Sequence, residues 1–195
     1  MLMDTGSSEF WLISNTCPQR GRRVPIGPST SQTFRSLGEG WDIKYSDGSS
    51  VTGSFVSDNV AIDSRILPGF QFETADTLEG ALTTETDYDG VMGFGFPDSS
   101  ETDAPTILDA LVSAGFISSR MTGWKLSHNI DSRNDGEITF GEENTARFFK
   151  DTQVFVQNLP EEEKEHWRFS IDGILIDGSQ VILARVGAIS TLAAS

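Results

Sequence analysis

The sequence predicts an all-β fold, β-rich with a few short helices, and three observations lead there. Runs rich in Val, Ile, Thr and Phe recur between turn signals. Glycine is abundant, at 19 of 195 residues, as many tight connections require. Alternating apolar and polar residues flank an Asp-Gly turn at Asp47-Gly48, the pattern of a half-buried hairpin.

Taken in order, Leu2–Ser14 reads as strand, tight turn, strand: apolar residues stop at Asp4-Thr5-Gly6-Ser7-Ser8 and resume at Phe10-Trp11-Leu12-Ile13. Residues 15–33 form a polar loop rich in Pro, Gly and Ser. Trp41–Tyr45 and Val51–Val56 are the two arms of the hairpin, and further strands are expected at Asn59–Ile62, Phe70–Ala75 and Gly90–Gly93. Thr106–Ala114 is the best helix: Ile107, Leu108, Leu111 and Val112 share a face, Pro105 precedes them and Gly115 follows. Trp124–Ser127 and Glu137–Phe140 read as a strand pair around Asn134-Asp135-Gly136. The charge run Glu161–Glu165 reads as a solvated loop or short helix, with strands of a new unit at Trp167–Ile171 and Gly173–Ile176.

Composition narrows the function. The net charge is −15 and the basic residues are scattered apart from Arg20, Arg22 and Arg23, so neither nucleic acid nor an anionic membrane is an expected partner. No apolar run reaches transmembrane length. The single cysteine, Cys17, excludes an internal disulfide; beside Pro18 in a polar loop, it is expected to be exposed.

Hydrolysis of a peptide bond needs an activated water, a base to take its proton and an acid for the leaving amine. Two carboxyl groups close enough to share one proton meet both needs at one pH. That chemistry asks for an Asp in a tight glycine-containing turn with hydroxyls nearby. Asp4-Thr5-Gly6-Ser7-Ser8 has that form.

Four segments then stand in order: Asp4-Thr5-Gly6-Ser7-Ser8 with Phe10-Trp11-Leu12, Ile43–Gly53, Asp89–Gly95 and Gly136–Gly141. Together they resemble the pepsin-like aspartic endopeptidases, at matching intervals from Asp4 to about Ile176. The resemblance implies an acid-protease lobe in an incomplete bilobal fold. Residues 1–149 would be an N-terminal lobe missing its first strands, and 150–195 the inter-lobe connection with a truncated start of a second lobe. It implies Asp4 as a catalytic carboxylate and Ser7 as its hydrogen-bond donor. Thr5 and Gly6 would form the base of the site. Tyr45 would sit on a substrate-covering flap supported by Trp11, with Asp47, Gly48 and Ser49 at the tip. It further implies an extended peptide substrate, no metal or organic cofactor, and an extracellular or vacuolar setting.

The pattern breaks at both ends. Met1-Leu2-Met3 leads at once into Asp4 with no leader, which reads as a missing natural beginning. Where a second aspartate motif would follow Val186–Ile189, the chain has Ser190-Thr191-Leu192. One catalytic aspartate alone leaves this chain expected to be inactive by itself. Three readings meet that: a truncated protease, a catalytically dead peptide-binding relative, or a homodimer in which each copy supplies Asp4, as in retroviral proteases. A calcium loop over Asp131, Asp135, Gly136, Ile138 and Glu142 is disfavoured by Arg133 at the third ligand place and by strand-like flanks. A serine or cysteine hydrolase lacks a nucleophile motif near His128 or His166.

Overall fold

Among the described residues, seven strands hydrogen-bond into one mixed sheet, in the order Ala193–Ala194, Leu2–Asp4, Gly90–Gly93, Phe10–Ile13, Arg65–Glu79, Ser50–Ile62 and Arg35–Lys44. The computed structural model describes residues 1–84, 87–97, 102, 104–128, 130, 132–158, 166–170, 173–181, 187–189 and 193–194. The strands are β1 (Leu2–Asp4), β2 (Phe10–Ile13), β3 (Arg35–Lys44), β4 (Ser50–Ile62), β5 (Arg65–Glu79), β6 (Gly90–Gly93), β7 (Thr122–Lys125), β8 (Glu137–Phe140), β9 (Arg168–Ser170), β10 (Ile174–Ile176), β11 (Ser179–Val181), β12 (Gly187–Ile189) and β13 (Ala193–Ala194). Three further pairs, β7–β8, β10–β11 and β9–β12, lie outside the large sheet.

Alternation splits the apolar residues of the sheet between two cores, one on each face. Trp11, Ile13, Trp41, Ile43, Val51 and Val91 fill the first. Phe10, Val56, Phe70, Phe72, Met92 and Phe94 fill the second, joined by Ile107 and Leu111 of the helix α1 (Ile107–Ser113). Phe10 meets Phe70 and Phe72 edge-on, with ring centroids 5.6 and 5.3 Å away. On β5 the alternation would send Leu78 to the second core with Phe70 and Phe72. A register shift against β4, between Thr52 and Gly53, adds a residue and turns Leu78 into the first.

The long β4 and β5 strands run through the breaks that the sequence shows. Asp58, a charged residue inside β4, is buried and stays there because Ser31, Thr33 and the Asn59 N–H all donate to its Oδ1. Burial opposes the charge, but these bonds and the Arg35 charge outweigh it and hold the carboxyl below its usual pKa. α1 begins at Thr106, whose Oγ1 accepts the Asp109 N–H.

One expectation for the 15–33 loop is corrected. Cys17 is buried, at 2% exposure, because the loop folds back against the sheet with Ser14 bridging Ile26. Burial pushes its thiol above the usual pKa. Arg23 in the same loop is buried: its guanidinium donates to the carbonyls of Gln19, Leu82 and Thr84, tying the loop to the 3-10 turn Gly80–Thr83. The strand expected at Trp124–Ser127 starts two residues earlier, as β7. Asp131, the charge run Glu161–Glu165 and the segment Ser190-Thr191-Leu192 lie outside the described residues. The supposed calcium loop contains the strand β8, and its Asp135 pairs with Lys125 of β7. No described helix is long and apolar enough to cross a membrane.

Candidate active site

Asp4 is the last residue of β1, where the strand gives way to the turn Thr5–Glu9. Its carboxyl is half-buried and held at both oxygens. The Gly6 N–H donates to Oδ1 at 2.8 Å and the Ser7 hydroxyl to Oδ2 at 2.6 Å. Two donors on different residues of one turn fix the plane of the carboxyl group as well as its position. Among the described residues, no second carboxyl hydrogen-bonds to it.

The turn is clamped from a distant part of the chain. β6 runs between β1 and β2, parallel to the first and antiparallel to the second, with Asp4 opposite Gly93. Its end reaches into the turn: Gly93 N–H donates to Glu9 O, Phe94 N–H to Asp4 O and Gly95 N–H to Ser7 O, at 2.9, 2.6 and 2.7 Å. The Ser8 hydroxyl adds a bond to Phe96 O. This crossing leaves no room for a side chain at Gly93, where a Cβ would lie 2.5 Å from the Ser8 carbonyl carbon.

The β3–β4 hairpin supplies the other wall. Its loop is Ser46-Asp47-Gly48, closed by Gly48 N–H to Tyr45 O and Tyr45 N–H to Ser49 O, with Gly48 at φ +85°. That is a three-residue turn with a glycine bulge, the glycine taking the left-handed place. Asp47 Oδ1 accepts the Ser49 N–H and hydroxyl, and these bonds hold its exposed carboxyl below the usual pKa. Asp47 and Gly48 are exposed at the tip, whereas Ser49 is buried.

Tyr45, at the root of the tip, accepts a 2.8 Å hydrogen bond from the Trp11 indole N–H. Burial pushes the phenol far above its usual pKa, and the charges of Glu9 and Asp4 push it further. It therefore remains neutral throughout the acid and neutral range. Asp4 and the hairpin thus share one space. Replacing Tyr45 by Phe would leave the buried Trp11 N–H without its acceptor, at a cost of about 1–2 kcal/mol. The check is the urea-unfolding midpoint, which should fall while the fold persists.

Thr5 lines a separate cleft of about 350 Å³ with Thr122, Trp124, Asn158, Trp167 and Phe169. Trp167 ties the later chain to this region: its indole donates to Phe94 O, and its ring lies 4.2 Å from that of Phe96. The sequence reading brought forward all the residues around Asp4 and the hairpin but passed over two. Glu9 and Glu73, at 2% and 1% exposure, are buried carboxyls next to the turn. In sequence Glu9 stands between Ser8 and Phe10 and Glu73 between Phe72 and Thr74, with no local signal that marks either as buried.

A family model described as eukaryotic aspartyl protease matches residues 1–191. The chain belongs to that family. Among its relatives is a probable aspartic-type endopeptidase of Arthroderma otae, 29% identical over 97% of this chain and 49% of its own length. Rhizopuspepsin of Rhizopus chinensis is 30% identical over 96% of this chain and 47% of its length. Cathepsin E-A of Xenopus laevis is 26% identical over 91% and 44%. The chain spans about half the length of the curated relatives it matches. Within an aspartyl protease, the strand-rich architecture is that of a pepsin-like lobe, and β1, β6 and the β3–β4 hairpin carry three of the four segments on which the resemblance rests.

Proposed function

We propose that this chain supplies one of the two carboxylates of an aspartic endopeptidase, and that Asp4 is that carboxylate. The observation that carries the reading is the Asp4 carboxyl, gripped by Gly6 N–H and Ser7 Oγ and facing a hairpin anchored through Tyr45 and Trp11. Peptide would lie extended between them. Asp4 and a second aspartate would share a proton, one taking a proton from the attacking water while the other serves the carbonyl oxygen and leaving amine. Thr5 and Gly6 keep the backbone beneath narrow enough for a second motif to approach. The tip residues Asp47, Gly48 and Ser49 lie over the backbone of the substrate and exclude water when the hairpin closes.

The Asp-Thr-Gly triplet occurs once in this sequence. The second carboxylate therefore comes from protein beyond these residues or from a second copy. On this reading residues 1–149 form the first lobe and 150–195 lead into a second, and the setting is extracellular or vacuolar. The same single triplet favours one alternative, a catalytically dead lobe that binds peptides without cleaving them. The two separate in an acid-pH assay with a quenched peptide. The chain alone should be inactive, and a longer form carrying a second Asp-Thr-Gly or Asp-Ser-Gly should cleave and be blocked by a transition-state-mimicking peptide. A longer form that binds that inhibitor and cleaves nothing establishes the alternative.

A further inference from the structure

After the 3-10 turn Lys150–Thr152 the chain runs over the surface as a segment tied down at both ends and bare between. Gln153 has extended backbone, its N–H donates to Lys150 O, and its side-chain amide donates to Glu143 Oε2. At the far end the Asn158 side chain donates to His166 O and accepts the Arg168 N–H. Between these anchors Val154, Phe155 and Val156 are 79%, 87% and 61% exposed. Among the described residues, no group forms a hydrogen bond with the backbone of residues 154–157. An extended apolar segment with its backbone unpaired is an open strand edge, ready to take another strand.

The sequence of the segment says which strand fits. Gln153-Val154-Phe155-Val156-Gln157 reads the same in both directions. A two-fold axis at Phe155 therefore lays a second copy antiparallel in matching register. Phe155 then faces Phe155, each Val154 faces Val156 and each Gln153 faces Gln157. Alternation keeps the valines on one side of the pair, and Phe155 with the glutamines on the other, in both copies. A shift by one residue mixes the two sides, and a shift by two sets each Phe155 against a glutamine. Residues 152–160 also carry no charge, so two copies can meet here without opposing like charges, although the chain has a net charge of −15.

We infer that residues 153–157 are a dimerisation strand, through which two copies of this chain pair about a two-fold axis at Phe155. Val156 lines the same cleft as Thr5, so the second copy is seated on the side of the molecule that carries the Asp4 turn. The pairing goes beyond the proposed function and holds or fails whether or not Asp4 takes part in catalysis. A five-residue ladder is small beside the roughly 1,200 Å² of a stable interface, so the pair is weak, half-formed on the order of 100 μM.

The test uses the whole chain and no protease assay. In sedimentation velocity between about 5 and about 500 μM, the mass should rise from 21.3 kDa towards twice that value. Phe155→Glu sets two carboxylates against each other on the axis, and should stay monomeric throughout with an unchanged urea midpoint. Phe155→Cys should form an intermolecular disulfide on mild oxidation, because a residue on the axis faces its own copy at the roughly 4.5–5.5 Å Cα separation that a disulfide spans. The native Cys17 is buried and does not compete. Val154→Cys alone should not cross-link, but should do so when mixed with Val156→Cys, the residue it faces.

Monomers at every concentration overturn the pairing and leave the segment to a strand of another protein. A dimer that Phe155→Glu leaves intact places the interface elsewhere and overturns it too. A mass that grows past two copies overturns the closed pair, and equal cross-linking of Val154→Cys and Phe155→Cys overturns the register.

Discussion

Replacing Asp4 by Asn should lower the peptide-hydrolysis rate of the active form by roughly 10³-fold or more, while the melting temperature moves by no more than about 2 °C. The substitution is close to isosteric. The side-chain oxygen at Oδ1 can still accept the Gly6 N–H, and the Ser7 hydroxyl can rotate to a new partner. What disappears is the capacity to take and return a proton, on which a shared-proton pair depends. The loss should appear in kcat, with KM nearly unchanged, since peptide binding rests on the groove and hairpin rather than on this carboxyl. Tight binding of a transition-state-mimicking inhibitor should weaken along with kcat. Activity equal to that of the unmodified protein would remove Asp4 from the mechanism.

Much of this geometry is written locally and could be read without coordinates. The turn Asp4–Ser8 folds on its own donors, Gly6 N–H and Ser7 Oγ, within three residues of the carboxyl. The hairpin is fixed by Gly48, because few residues but glycine accept φ +85° in that bulge. The helix is announced by Thr106 as cap and by the spacing of Ile107 and Leu111. Properties that depend on distant partners were hidden. Cys17 looked exposed because its loop is polar, yet the fold lays that loop against the sheet. The burial of Arg23 has no local sign either, because two of its three carbonyl acceptors, Leu82 and Thr84, lie about sixty residues on. Glu73 has no local mark of burial, since its enclosure depends on β2 and Thr102.

Gly93→Ala should be the most damaging single change outside the carboxylates, costing at least about 4 kcal/mol, comparable with the whole stability of a small domain. A Cβ at this position would lie 2.5 Å from Ser8 C, 2.6 Å from Ser7 O and 2.7 Å from Ser8 Cα. All three are backbone atoms, so no side chain can rotate away, and β6 must separate from the turn. Separation breaks the bonds from Phe94 N–H to Asp4 O and from Gly95 N–H to Ser7 O, which align the turn. Gly48→Ala makes the informative contrast. Its Cβ would enter open space and meet only the left-handed backbone, at a cost of about 1–2 kcal/mol. Near-UV circular dichroism and urea unfolding should therefore show a cooperative transition for Gly48→Ala and none for Gly93→Ala. A Gly93→Ala chain that unfolds like the unmodified one would mean that β6 does not cross between β1 and β2, and the support for Asp4 would have to be sought elsewhere.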